Sequence, residues 1–158
     1  MRTQVVTTED QAELKQFLED ADLTLSGLDD PGVLVWIDRD DSGAVIGSTG
    51  FELSADRDHA LIRSVAVHPD ARGGGYGTVL ARFALDEAAR QGAGSAWLFS
   101  RRSGPFWQRL GFERADRDAL AAVLPDTHQV RLFTKTGQLE REVAWSRPLT
   151  PRGLPAGE

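Results

Sequence analysis

The 158-residue chain contains no cysteine, three histidines and a single tyrosine. The absence of cysteine excludes disulfides, thiolate nucleophiles and cysteine-ligated zinc. The histidines (His59, His68 and His128) are scattered along the chain, so we expect no metal. No apolar run approaches the roughly 20 residues of a membrane span, and the first ten residues lack the apolar core of a secretory signal. We therefore expect a cytoplasmic protein with no membrane partner.

The net charge of −6 comes from 24 acidic and 18 basic residues. A nucleic-acid partner is not expected, because such proteins present a basic face. The acidic excess lies in the first 41 residues, so an anionic ligand would be better tolerated by the remainder of the chain. The length and the 41% hydrophobic content fit one domain with one core.

Apolar periodicity and breaker residues predict a mixed α/β domain. The predicted strands are Arg2–Val6, Val33–Asp38, Ala44–Leu53, His59–His68, Ser95–Ser100 and Leu139–Arg147. The predicted helical segments are 9–20 (capped by Thr8), Leu23–Leu28, 78–91, Pro105–Leu110, Leu120–Val123 and Pro125–Phe133. We expect the domain to span residues 1–147 and a flexible tail to follow over 148–158, where prolines and glycines prevail.

A glycine-rich loop, Arg72-Gly73-Gly74-Gly75-Tyr76-Gly77, lies between a predicted strand and a predicted helix. Without Cβ atoms, unpaired N–H groups at the start of a helix can converge on an anion such as a phosphate. Thr78 follows the last glycine, whereas a Walker A loop has lysine there, and the glycine spacing does not fit the dinucleotide fingerprint. The pattern Arg/Gln-x-x-Gly-x-Gly/Ala matches without a gap.

Together with three other segments, this loop resembles the GNAT superfamily of acetyl-CoA-dependent N-acetyltransferases. Val65-Ala66-Val67 resembles the strand whose backbone pairs with pantetheine, and Ser95–Ser100 resembles the strand that splays away from it. Phe106–Phe112 (FWQRLGF) is similar to the family's Phe-Tyr-x-x-x-Gly-Phe segment. The resemblance implies a single α/β (α+β) domain with a central mixed, mostly antiparallel twisted sheet flanked by helices.

The resemblance also implies a binding site for acetyl-CoA as co-substrate. Its residues would be Val65, Ala66, Val67, Arg72, Gly73, Gly74, Gly75, Tyr76, Gly77 and Thr78. The layout is most similar to N-acetylglutamate-synthase-type and arsinothricin-N-acetyltransferase-like enzymes, which implies a small, amino-acid-like amine as acceptor. Residues 115–147 depart from that branch.

The implied reaction is direct attack of a primary amine on the acetyl thioester, which needs positioning, an oxyanion donor and a base but no protein nucleophile. Glu52 is the predicted base, because it ends a strand beside the one that carries Arg63. His59 and ordered water are the alternatives. Arg63 is predicted to bind a substrate carboxylate, with a structural ion pair as the alternative.

Trp107 stands where the family often has a tyrosine that protonates the CoA thiolate, and an indole N–H is not a useful acid. Ser100 is therefore predicted to hydrogen-bond the thiolate, with Ser103 or water as alternatives. Arg101 and Arg102 are predicted to be solvated or to reach a CoA phosphate.

Two other functions fit the same loop. The missing tyrosine is compatible with an acetyl-CoA-binding sensor that has lost turnover. The acidic first 41 residues are compatible with an acetyltransferase that acts on protein N-termini or lysines. Exposed strand edges leave room for a homodimer.

Overall fold

The computed structural model describes residues 3–149, without the side chains of Thr3, Gln4 and Thr8. The strands are β1 (Thr3–Val5), β2 (Val33–Arg39), β3 (Val45–Leu53), β4 (His59–Val67), β5 (Ser95–Phe99), β6 (Glu113–Ala115) and β7 (Ala144–Pro148). The helices are α1 (Gln11–Asp20), α2 (Tyr76–Arg90), α3 (Gly104–Arg109), α4 (Arg117–Val123) and α5 (His128–Thr136).

The strands form one sheet in the order β1-β2-β3-β4-β5-β7-β6. The first four strands are an antiparallel series, and β7 pairs antiparallel with both β5 and β6. Only β4 and β5 are parallel, and α2 makes the crossover between them. The predicted mixed, mostly antiparallel sheet flanked by helices is confirmed.

Alternating side chains of the strands supply cores to both faces of the sheet. On β2, Trp36 packs with Phe51 and the buried stripe of α2, whereas Val35 and Ile37 face Leu14 and Leu18 of α1. This alternation follows from the two-residue period of a strand. A third cluster joins α4 and α5 to the sheet and includes Leu61, Leu120, Leu124, Val130 and Ala144.

The segment before β2 differs from the prediction. A 3-10 turn covers Thr8–Asp10, and Asp10, not Thr8, is the N-cap residue of α1. The Gln11 side chain donates to the carbonyl of Leu28 at 3.0 Å. Residues 23–28 contain turns rather than the predicted short helix.

The end of the chain differs as well. The predicted last strand begins at Leu139, but Gln138–Arg141 is a 3-10 turn that follows Gly137 at φ +78°, and β7 begins only at Ala144. The short strand β6 was not predicted. β7 reaches Pro148 and Leu149 is buried, whereas residues 150–158 of the predicted tail lie outside the described residues. Within the described range, no helix combines the length and apolarity needed to cross a membrane.

Candidate active site

The parallel strands β4 and β5 separate halfway along their length. They pair only where residues 59–61 meet residues 95–97. Among the described residues, the peptide groups of β4 beyond Leu61 that face β5 have no strand partner, and those of β5 past Trp97 pair only with β7. The predicted splay is therefore present, and the backbone of Val65–Val67 lines it. Unpaired peptide groups at such an edge can bind an extended ligand as an added strand would.

A β-bulge in β4 accompanies the splay. Ser48 is opposite Ala66 and Gly50 is opposite Arg63, so two residues of β4 face Thr49 alone. Ser64 adopts φ +61°, and its carbonyl accepts the Ser48 hydroxyl at 2.6 Å. Since a bulge bends and twists its strand, it accounts for the departure of β4 from β5.

The glycine loop leads into α2 at the same end of the sheet. Gly73, Gly74 and Gly75 all have positive φ, and a Cβ on any of them would meet only open space. Within residues 3–149, no acceptor takes the N–H groups of residues 73–78, because the first bond of the helix runs from Val79 to Gly75. Six free N–H groups at a helix N-terminus can bind an anion such as a diphosphate.

Tyr76 anchors the start of α2 to the sheet. Its hydroxyl donates to Asp38 at 2.7 Å, and Asp38 is fully buried with no partner for Oδ1 among the described residues. Burial, then the bond to Asp38, raise the pKa of Tyr76 far above its usual value near 10. Gly47 leaves room for the ring, since a Cβ there would lie 2.5 Å from the Tyr76 oxygen. Tyr76 therefore holds the loop rather than supplying a proton.

A cleft of about 830 Å³ opens beside the end of β5. Its walls are residues 21–25, the end of β5 with the turn into α3 (residues 99–103), and the region from α5 to β7. The splay and the cleft meet at Phe99 and Ser100, so a ligand along β4 would present its end to the cleft. A cleft of this size suits a small molecule.

Charged side chains of both signs line this cleft. Arg102 pairs with Asp22 across the opening at 2.9 Å, and Arg101 pairs with Glu142 at 3.5 Å. Asp22 is 83% exposed, whereas the Glu142 side chain is only 6% exposed. Arg141 also lines the cleft and forms no ion pair within residues 3–149. No local sequence pattern marks Glu142 as a functional residue.

Glu52 and Arg63 lie inside the fold instead of on the cleft wall. The two side chains are 4% and 0% exposed and form an ion pair at 3.0 Å. Glu52 Oε1 also accepts the N–H of His128 at 2.7 Å, and burial, partly offset by Glu52, lowers the pKa of Arg63. This geometry favours the structural ion pair over the predicted base and carboxylate-binding roles, which stay predictions.

Ser100 and Trp107 are placed differently from each other. Ser100 lines the cleft, and its hydroxyl oxygen accepts the N–H of Ser103, which leaves its own proton free to donate. Trp107 is buried between Phe106 and Phe112, in edge-to-face contact with both. Ser100, predicted to act at the thiolate, therefore lies on the cleft wall, whereas Trp107 lies in the core.

His59 and His128 both belong to local networks. The His59 ring lies at 3.0 Å from the Ser95 hydroxyl and accepts the Trp97 indole N–H. His128 pairs with Asp30 at 2.7 Å, which helps to lower the pKa of Asp30 after the larger effect of the Gly32 N–H. In the described part of the chain, no group of three or more His, Asp or Glu side chains is arranged to hold a metal ion.

Three solved structures show the same fold. N-acetylglutamate synthase from Neisseria gonorrhoeae, complexed with coenzyme A and N-acetyl-glutamate, superposes with a TM-score of 0.73 at 20% identity over 95% of this chain. This chain spans only 36% of that synthase. Rv2747 from Mycobacterium tuberculosis, in complex with CoA and NLQ, gives 0.74 at 17% identity over 95% of this chain and 100% of its own. An acetyltransferase of the GNAT family from Staphylococcus aureus gives 0.71 at 13% identity, over 94% and 99%.

Comparison with curated protein sequences gives no match. The profile of the Acetyltransferase (GNAT) family matches residues 3–112, which include the splayed strands, the bulge and the glycine loop. The chain therefore belongs to the Acetyltransferase (GNAT) family.

Proposed function

We propose that this protein is an acetyl-CoA-dependent N-acetyltransferase that acts on a primary amine of a small, amino-acid-like molecule. The observation that carries the proposal is the junction of three features at one end of the sheet: free N–H groups of residues 73–78, the unpaired edge of β4, and the cleft at Ser100. Structures of the same fold that contain coenzyme A support acetyl-CoA as the co-substrate.

The residues of the chain fit the parts of acetyl-CoA. The N–H groups of Gly73–Thr78 would hold the diphosphate, with the exposed Arg72 nearby as a further cation, and the open space above the glycines lets the phosphates approach the backbone. Peptide groups of Val65–Val67 would pair with the amides of pantetheine. When bound, the thioester supplies an activated acetyl carbon.

The residues near the thioester would then guide the chemistry. A free N–H at the Val67 end of the splay would stabilise the developing oxyanion. The Ser100 hydroxyl would hydrogen-bond the departing thiolate, since its proton has no acceptor within residues 3–149. The proton for the thiolate would come from water, because Trp107 is buried and cannot donate a useful proton.

The cleft supports a small acceptor. A volume of about 830 Å³ accommodates the acetyl end of the cofactor and a compact amine, and the lining contains both cations and carboxylates. The gonococcal synthase of the same fold is complexed with N-acetyl-glutamate as well as coenzyme A, which supports an amino-acid-like acceptor here.

The test is a thiol-release assay with acetyl-CoA and a panel of free amino acids, their amides, polyamines and a basic peptide. We expect release with at least one free amino acid and little with the peptide. Preference for the peptide would replace the small acceptor with a protein substrate. Binding of acetyl-CoA without release across the panel would favour the sensor, the function to which the buried Trp107 points.

A further inference from the structure

An acceptor amine is an ammonium ion near neutral pH, so the proposed reaction requires a group that removes its proton. We infer that Glu142, on the wall of the cleft, is the general base that binds and deprotonates the acceptor. The inference rests on the proposed function and replaces Glu52 in that role.

The carboxylates available at the cleft are few. Among the described residues, Asp22 and Glu142 are the acidic side chains that line it. Asp22 is 83% exposed and tied to Arg102, so water would screen it from an acceptor. Glu52 does not line the cleft, and both of its oxygens accept hydrogen bonds inside the fold. Glu142 alone combines burial with contact to the cleft.

The two carboxylate oxygens of Glu142 differ in their hydrogen bonds. Oε2 accepts the Gln138 amide at 2.7 Å and lies 3.5 Å from Arg101, a separation too long for a strong hydrogen bond. Oε1 accepts no hydrogen bond from the described residues, yet it is not among their buried unpaired atoms, so it is accessible. An accessible oxygen on an otherwise buried and oriented carboxylate is the geometry that a base requires.

The pairing of β7 with β5 places Glu142 at the end of β5. The N–H of Ser100 donates to the carbonyl of Val143 at 2.9 Å, and Phe99 pairs with Ala144. Glu142 therefore precedes the stretch of chain that is bonded to the end of β5, and it lines the cleft together with Phe99 and Ser100. The acetyl end of a cofactor bound along β4 would face the same space.

The charges around Glu142 come from four elements. Arg101 approaches it from the turn after β5, and the Arg117 guanidinium of α4 donates to its carbonyl at 3.4 Å. Arg141 precedes it in the chain, and the Asp22–Arg102 pair lies across the cleft. Arg101 is about half exposed and loosely placed, so an acceptor ammonium can take its position next to the carboxylate.

Acetyl transfer removes two protons from the acceptor ammonium. One ammonium proton passes to Oε1 of Glu142 and later to solvent, and the nitrogen keeps its electron pair. That pair forms the N–C bond to the acetyl carbon while the C–S bond breaks and its electrons leave on the CoA sulfur. The nitrogen then loses a second proton, which water delivers to the thiolate. The products are the acetylated amine, CoA thiol and one proton.

The experiment compares Glu142→Gln with the wild-type chain and with Glu140→Gln in the same assay. Glu140 is exposed, lies two residues away and does not line the cleft, so its substitution removes the same charge without touching the site. Thiol release is measured from pH 6 to pH 10 with the best amine of the panel, and acetyl-CoA affinity is measured by calorimetry.

We expect Glu142→Gln to lower kcat by about 100-fold or more near pH 7 with acetyl-CoA affinity unchanged, and Glu140→Gln to change it by less than about twofold. The defect should shrink as the pH rises, since free amine then becomes abundant without a base. A purely structural role would give a defect that is independent of pH.

Wild-type-like kcat in Glu142→Gln, or a pH-independent loss, overturns the role of Glu142 and leaves the proposed function standing. If Glu142→Gln no longer binds acetyl-CoA, Glu142→Asp decides. This variant keeps the carboxylate, so its kcat should be lower than that of the wild type but should have the same pH profile. A defect in kcat that shrinks as the pH rises would overturn the inference. No wild-type turnover with any amine would overturn the proposed function and the inference together.

Discussion

The two halves of the candidate site differ in the chemical groups that form them. The cofactor half consists of backbone groups, namely the N–H groups of residues 73–78 and the free edge of β4, which come from one continuous stretch of chain. The acceptor half consists of side chains from four separate segments around the cleft. A short stretch of sequence determines the glycine loop, whereas the side chains of the acceptor half come together only when the sheet forms.

The largest effect on ligand binding should come from the cofactor half. Gly75→Val places a β-branched residue at φ +82°, so the loop must rearrange and its N–H groups no longer converge. Hydrogen bonds to a charged group contribute about 1.5–3 kcal/mol each, so losing two weakens acetyl-CoA binding by about 100-fold or more. Calorimetric titration measures this change.

The control for this substitution lies at the other end of the same helix. Gly92→Val introduces the same side chain at φ +101°, also into open space, after α2 has ended. It should cost similar stability and leave acetyl-CoA binding intact. Equal affinity in the two variants would contradict the assignment of the loop.

The next effect separates a buried glutamate from a half-exposed one. Glu52→Gln leaves Arg63 buried without a counter-charge, and the expected loss is about 3–5 kcal/mol in the free energy of unfolding. Glu13→Gln removes a half-exposed partner of Arg39 and should cost less than about 1 kcal/mol. Urea denaturation measures both, and similar values would show that Glu52 is not held in a structural pair.

Tyr76→Phe tests the anchor between the glycine loop and the sheet. It removes the only donor to the fully buried Asp38 among the described residues, at an expected cost of about 1–3 kcal/mol. The raised pKa of Tyr76 means that the native state favours the protonated phenol. That contribution is present below the usual tyrosine pKa near 10 and is lost as the pH rises above it, so wild type should lose stability at high pH more steeply than Tyr76→Phe.

The smallest effect is expected at the rim of the acceptor half. Asp22→Asn breaks an exposed pair with Arg102, so the free energy of unfolding should change by less than about 1 kcal/mol. The Michaelis constant for the acceptor should change less than about threefold, because Asp22 is screened by water. A larger change in the Michaelis constant would mean that Asp22 contacts the acceptor and belongs to the acceptor-binding surface.

The cofactor half could be predicted from the sequence because its signals are local. The glycine spacing after His59–His68 predicts the loop, and the resemblance of Ser95–Ser100 to a family strand implies the splay. The elements that carry the acceptor half were predicted less well. Leu139–Arg147 alternates like a strand, but Gly137 at φ +78° leads into a 3-10 turn that covers its first residues.

The two glutamates show why the acceptor half could not be read from the sequence. Glu52 ends a strand, a place that is usually solvated, and the N–H groups that cover it come from His128 and Gln129, which lie 76 and 77 residues later in the chain. Glu142 belongs to the cleft because β7 pairs with β5 and not with β4. Such pairings are properties of the whole sheet.

Calorimetric titration of the wild-type protein with acetyl-CoA tests the central claim most directly. The account predicts saturable binding at one site per chain, because the loop and the edge of β4 present free donors to the cofactor. No detectable binding would contradict it, since the cofactor half would then be a strand–helix junction that holds no ligand.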